Sequence, residues 1–182
     1  AEVSIEAAAM LEPAAVALHA LRQAAPDAGD AVLIFGAGPI GLMLGKWAAL
    51  LGAGKVMLVD IDVAKLRFAR KQGFVHLFDA RSGDAAEWVQ HRTGRGADIV
   101  IEASGSAAAF AQCMGCARTF GRVALMGNPA GPMPLSQEAY WAILRKELRL
   151  TGTWNSVYAE LPRNEWRVAL DAMAVGDRKS GV

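Results

Sequence analysis

The apolar run Val32-Leu33-Ile34-Phe35 passes directly into Gly36-Ala37-Gly38-Pro39-Ile40-Gly41, and a second apolar run, Val56-Met57-Leu58-Val59, ends at Asp60. Glycines at this spacing suit the chemistry of holding a phosphate chain. Gly36 lets the backbone turn tightly out of a strand, Gly38 carries no Cβ to hold a pyrophosphate off, and Gly41 lets the following helix approach the sheet. Pro39 fits the first helical turn, where its missing N–H costs little. The helix start then offers free N–H groups and the positive end of its dipole to negative charge. Asp60 stands about 20 residues beyond the last glycine, where a carboxylate accepts hydrogen bonds from ribose hydroxyls. A 2′-phosphate at that place meets like charge, so the pattern favours NAD over NADP. The alternative for Asp60 is a solvated residue at a strand end.

The elements that must position these residues alternate along the chain. Strands are expected at about 31–35, 56–60, 74–78, 97–103, 122–126 and 148–152. Helices are expected at about 40–52, 62–72, 85–92, 107–116 and 140–145, after a helix or helix pair over 5–24 and before one over 165–175. Short apolar strands separated by helices define an α/β fold: a Rossmann-type doubly wound, mostly parallel six-stranded sheet with helices on both faces, in the order 3-2-1-4-5-6. Ligands of such sheets collect beyond the carboxyl ends of the strands. Three later loops reach that edge: Ala103-Ser104-Gly105-Ser106, Gly127-Asn128-Pro129 and Gly152-Thr153-Trp154. Ser104 and the backbone near Met126, Gly127 and Thr153 are therefore candidate cofactor contacts, against the alternative of ordinary loop composition.

Hydride chemistry on an alcohol also needs a base, a proton relay or a metal, and here the residues run short. The three histidines, His19, His76 and His91, form no cluster. His19 reads as a helix-packing or domain-contact residue. The Cys113-x-x-Cys116 pair has redox spacing but lies in an alanine-rich helical stretch, where core packing is the simpler role. Two cysteines in 182 residues also argue against a disulfide scaffold. The charge balance of +1 shows no basic stripe, which argues against nucleic acid as the main partner. No secretory leader or membrane-length apolar run is visible, so the expected location is cytoplasmic, without a membrane partner.

The chain resembles the nucleotide-binding domain of the zinc-dependent medium-chain alcohol and polyol dehydrogenases. The resemblance rests on Glu12-Pro13-Ala14-Ala15-Val16-Ala17-Leu18-His19-Ala20, the glycine motif, and Gly96-Ala97-Asp98-Ile99-Val100-Ile101-Glu102-Ala103-Ser104-Gly105. Ile143-Leu144-Arg145-Lys146-Glu147-Leu148 followed by Gly152-Thr153-Trp154 is similar to the sugar-alcohol-phosphate branch, which includes galactitol-1-phosphate dehydrogenases.

That resemblance implies residues 1–25 as an inter-domain connecting helical segment, 26–155 as an NAD-binding Rossmann domain and 156–182 as a C-terminal helical extension. It implies cofactor contacts at Gly36, Gly38, Pro39, Ile40, Gly41 and Asp60, with Arg67 near the adenosine ribose (or simply on the surface) and Met126, Gly127 and Thr153 toward the nicotinamide. In the family, a GroES-like catalytic domain holds zinc, and its ligands have no match in this sequence. The match at Glu12 implies a zinc-facing or proton-relay carboxylate; a carboxylate at a helix start is the alternative. A complete metal site, and stable zinc binding by this chain alone, are not expected. The implied reaction takes hydride from a secondary alcohol, a polyol or polyol phosphate, to NAD⁺. Pairing of strand 148–152 with its copy implies a homodimer. Two other readings stay open: a free-standing NAD-sensing or interaction module without catalysis, and a zinc-independent quinone reductase-like enzyme.

Overall fold

The computed structural model describes residues 3–158 and 164–180, with side chains through Val175. Residues 1–2 of the expected connecting segment, and 159–163 and 181–182 of the expected C-terminal extension, lie outside the described residues. Strands β1 (Ala31–Phe35), β2 (Lys55–Asp60), β3 (His76–Asp79), β4 (Ala97–Glu102), β5 (Ala117–Leu125) and β6 (Arg149–Gly152) form one sheet in the order β3-β2-β1-β4-β5-β6. Every pairing is parallel, so the sheet expected to be mostly parallel is wholly so. The order reverses between β1 and β4, and that switch point opens a crevice at the carboxyl edge.

Among the described residues eight helices connect and cover the strands: α1 (Ile5–Ala9), α2 (Leu11–Ala24), α3 (Pro39–Leu50), α4 (Val63–Lys71), α5 (Ala85–Thr93), α6 (Ala107–Cys116), α7 (Gln137–Arg145) and α8 (Glu165–Ser180). Alternation along β1 divides the core into two layers. Val32 and Ile34 pack with Leu18 and Leu21 of α2, Leu44 of α3 and Ala169 of α8. Leu33 and Phe35 face the other layer, with Val89 of α5, Cys113 and Met114 of α6 and Ala139 of α7. Helix α2 is thus part of the core, and Trp47 of α3 fixes it further by donating from Nε1 to the Ala14 carbonyl at 2.9 Å.

Local chemistry starts and stops these helices. Asp62 caps α4 by accepting from the Ala64 N–H at 2.7 Å, and Asp84 caps α5 by accepting from Ala86 at 2.6 Å. Ser136 accepts from the Ala139 N–H, which starts α7 at Gln137, before the expected Tyr140.

Two strands begin elsewhere than expected. Phe74, read as the start of β3, instead plugs the gap under Gly45 of α3, where an added Cβ would sit 2.5 Å from the ring; β3 starts at His76. β5 starts at Ala117 instead of Arg122. Between Ala97↔Ala117 and Ile99↔Arg122 its register shifts, residues 118–121 bulging out with Phe120 at φ 59°. Polar Arg118 and Thr119 with Gly121 read as a turn, and a bulge has the same composition.

The amino edge of the sheet is closed by ion pairs. Buried Asp98 accepts from the Ala31 N–H at 2.9 Å, from Arg95 Nη2 at 3.1 Å, and from Arg118. Arg122 Nη2 donates to Asp30 at 2.5 Å. Lys146 crosses from the end of α7 to the end of α6, donating Nζ to the carbonyls of Met114, Gly115 and Ala117. These donors satisfy carbonyls that the helix leaves free.

Candidate functional site: a nucleotide crevice at the carboxyl edge

The turn after β1 is built by close approach. Gly36 takes φ +111°, and its N–H donates to the Val59 carbonyl at 2.7 Å. Gly41 is pressed against that turn so closely that a Cβ there would stand 1.9 Å from the Gly36 carbonyl oxygen. Around Gly38 the space is open, with no heavy atom within 4 Å of where its Cβ would be. Helix α3 begins at Pro39 with Gly38 as its N-cap and no side chain capping it. Its first turn is therefore left for an external acceptor, the arrangement that suits phosphate.

Asp60 faces this turn from the end of β2. Its Oδ2 accepts from the Ala37 N–H at 2.7 Å and its Oδ1 from the Asp62 N–H at 2.8 Å. The carboxylate thus joins the glycine turn to the start of α4, while retaining further lone pairs for hydroxyl donors. A cavity of about 330 Å³ opens beside it, lined among others by Gly36, Gly38, Asp60, Lys65 and Ser104. A second, of about 230 Å³, lies further along the same edge, lined by Val16, Met126, Asn128, Thr153, Trp154 and Asn155. A third and larger space, about 830 Å³, runs along the outer flank of α3. It shares Gly38, Pro39 and Lys65 with the turn, but Leu42, Met43, Trp47, Phe68 and Met173 make it apolar, unsuited to a charged nucleotide.

The expected residues divide accordingly. Gly36, Gly38, Asp60 and Ser104 meet at the first cavity, and Met126 and Thr153 at the second. Gly41 is buried beneath the turn, Ile40 packs its side chain against the core, and Pro39 borders the apolar flank. Gly127 lines neither cavity and lies against Gly105. Arg67 is exposed on α4 and lines neither cavity; Lys65, on the same helix, lines the first. Glu12 is exposed in the first turn of α2 and lines neither.

Two further residues shape this edge that the motifs do not single out. Lys65 carried a usable signal, a cation in the helix turn that follows Asp60. Glu102 carried a weaker one, a carboxylate closing an otherwise apolar strand. It is buried, and its Oε1 accepts from the Ser104 N–H at 2.8 Å, the Ser104 hydroxyl at 2.5 Å and the Gly105 N–H at 3.0 Å. Its backbone carbonyl accepts from Met126 and Gly127.

Metal and redox chemistry find little here. Among the described residues no three His, Cys, Asp or Glu side chains gather as a metal site, and His19 is engaged by Glu165 at 2.9 Å between α2 and α8. Zinc therefore does not fit the donors described, Glu12 standing by itself. Cys113 and Cys116 are free and buried. Burial pushes the Cys113 thiol well up and the Cys116 thiol up to about 12, which leaves neither as a thiolate near neutral pH.

Comparison with known proteins agrees with this geometry. Residues 39–174 match the family described as zinc-binding dehydrogenase. Sorbitol dehydrogenase of Bacillus subtilis (strain 168) is 34% identical over 129 residues, covering 70% of this chain and 36% of that protein. The structure of galactitol-1-phosphate dehydrogenase from Escherichia coli superposes with a TM-score of 0.86 at 30% identity, covering 96% of this chain and 51% of that one. A Sinorhizobium meliloti 1021 structure, described as a zinc-binding dehydrogenase bound to NADP, gives 0.83 at 30% identity, covering 97% and 52%. The chain thus spans about half the length of these structures and less of the sorbitol enzyme. Its sheet order, its glycine turn and a family match running from Pro39 to Ala174 place the chain in the zinc-binding dehydrogenase family, as a nicotinamide-dinucleotide-type Rossmann domain.

Proposed function

We propose that this chain is the NAD(H)-binding part of an oxidoreductase that takes hydride from a secondary alcohol, a polyol or polyol phosphate, to NAD⁺. One observation carries the reading: the uncapped start of α3 and the Asp60 carboxylate open onto a single cavity. The adenosine ribose fits beside Asp60 and Lys65, the pyrophosphate over Gly38, and the nicotinamide toward Met126, Gly127 and Thr153. Sorbitol and galactitol 1-phosphate, substrates named in the relatives, are both polyhydric, which supports the substrate class.

The residues of this chain bind and orient. Asp60 and the glycine turn fix the adenosine half, and the loops after β5 and β6 wall the far half, presenting one face of the ring for hydride transfer. Zinc would supply polarisation of the alcohol oxygen; the described residues offer no set to hold it, and no step here runs through it. In this assignment residues 1–25 connect to a catalytic domain, 26–155 bind the cofactor and 156–182 extend it, with α2 packed in the same core. Strand β6 ends the sheet, with Leu150 exposed, which supports a homodimer formed by pairing of 148–152. No described helix is long and apolar enough to cross a membrane. Together with free, buried thiols this supports a cytoplasmic location.

Calorimetric titration with NADH and NADPH tests the proposal. Saturable NADH binding, weaker NADPH binding, and loss of that preference in Asp60→Ala are expected. NADPH binding as tight as NADH would contradict the role of Asp60, and it is a real competitor, since the Sinorhizobium structure holds NADP.

A further inference from the structure

We infer that Glu102 is a positioning residue that sets the spacing between the two cavities and so determines whether a ligand can span both. The inference rests on the nucleotide reading above. Glu102 ends β4 at the switch point of the sheet, and its residue surface is 1% exposed. Among the described residues it has no ion-pair partner; its carboxyl group is met by the Ser104 and Gly105 N–H groups and the Ser104 hydroxyl. Ser104 lines the first cavity. The same residue's carbonyl receives the Met126 and Gly127 N–H groups at 3.0 and 2.9 Å, and Met126 lines the second cavity.

The two loops are also pressed together beneath this carboxylate. A Cβ on Gly105, at φ +69°, would stand 2.2 Å from the Asn128 carbonyl oxygen. A Cβ on Gly127 would stand 2.1 Å from the Gly105 nitrogen and 2.4 Å from Glu102 Oε2. Nothing larger than glycine fits either place. The carboxylate draws Gly105 down onto Gly127 and Asn128, and the distance between cavity walls follows from that seat. A ligand filling only the first cavity does not sense the spacing; one that bridges both does.

The experiment compares NADH, which spans both cavities, with ADP, which fills the first and reaches the glycine turn. In Glu102→Gln an amide N–H₂ replaces one acceptor oxygen among N–H donors, and the seat loosens. Expected is a loss of about tenfold in NADH affinity, with ADP, which meets the altered seat only at Ser104, losing clearly less, about threefold. Gly105→Ala separates the same loops sterically with the Glu102 side chain itself unaltered, although it displaces the Gly105 N–H from that carboxylate, and is expected to show the same selective loss. It serves as the readout if the glutamine variant does not fold. Parallel weakening of both ligands in the folded variants, or no weakening of NADH, overturns the positioning role. Failure of the unaltered chain to bind either ligand overturns the nucleotide reading itself, and the positioning role with it.

Discussion

Strand β4 carries a buried carboxylate at each end, and the two are treated oppositely. Asp98, at the amino edge, is met by Arg95 and Arg118 as well as by the Ala31 N–H. Glu102, at the carboxyl edge, is met by backbone N–H groups and one hydroxyl. Both are 1% exposed, so burial does not distinguish them. The neighbouring strands repeat the contrast: Asp30 before β1 takes Arg122, while Asp60 at the end of β2 takes two backbone N–H groups. Asp79 on the outermost strand departs from this pattern, since it pairs with Arg81. At the amino edge Asp98 and Asp30 are each paired with arginine. At the carboxyl edge the same residue type shapes loops and leaves acceptor capacity and space at the mouth of the crevice. A structural edge and a binding edge can thus be told apart by what meets their carboxylates.

Asp98→Ala should break the closed edge most severely. It strands the Ala31 N–H and takes the buried partner from Arg118, while Arg95 turns to water, a loss of about 3 kcal/mol, read by denaturant unfolding. NADH affinity of the folded protein should not change. The same carboxylate makes stability depend on pH. Burial alone would raise its pKa, but the Ala31 N–H, Arg118 and Arg95 outweigh burial and hold it below the ordinary carboxylate value. A depressed folded-state pKa means that the stabilisation is complete above the unfolded value, about 4, and is lost as pH falls through the folded one. The Asp98→Ala variant should therefore lose less stability between neutral and acid pH than the unaltered chain does.

Gly41→Ala attacks the binding edge from beneath. Its Cβ must displace the Gly36 carbonyl, so a stability loss of about 1–3 kcal/mol should come with a fall in NADH affinity of at least about tenfold. Asp60→Asn is gentler: NADH should weaken by about tenfold while NADPH weakens less, because the charge that repels a 2′-phosphate is gone. Smallest of all, a water-soluble disulfide reagent at neutral pH should label neither Cys113 nor Cys116 until the chain unfolds, and NADH should not alter that result. Rapid labelling in the folded state would contradict their place in the core.

Much of this fold is legible in the sequence because its strands are short apolar runs set off by glycines and helix caps. The turn at Gly36–Gly41 and the acid at Asp60 are readable because their spacing serves one purpose. The amino-edge bulge at 118–121 is not, since a bulge and a turn share polar residues and glycine. Phe74 misleads because an aromatic residue before a strand looks like part of it, while its actual role depends on a glycine in a distant helix. Lys65 and Arg67 differ only in which way a helix turns, a matter of about 100° per residue, and sequence alone does not fix where that turn begins. Glu102 was visible as a residue but not as a clasp. Its partners are loop backbone groups, which carry no signal of their own.

Backbone amide exchange with and without saturating NADH tests the difference between the two edges most directly. Added protection is expected at Gly36–Gly38, at Ile40 and Gly41, across 60–65, and in the loops at 103–105 and 126–128. Amides at 95–98 and 117–122 should exchange unchanged. Equal protection at both ends of β4, or none at the carboxyl edge, would contradict the assignment of one edge to binding and the other to structure.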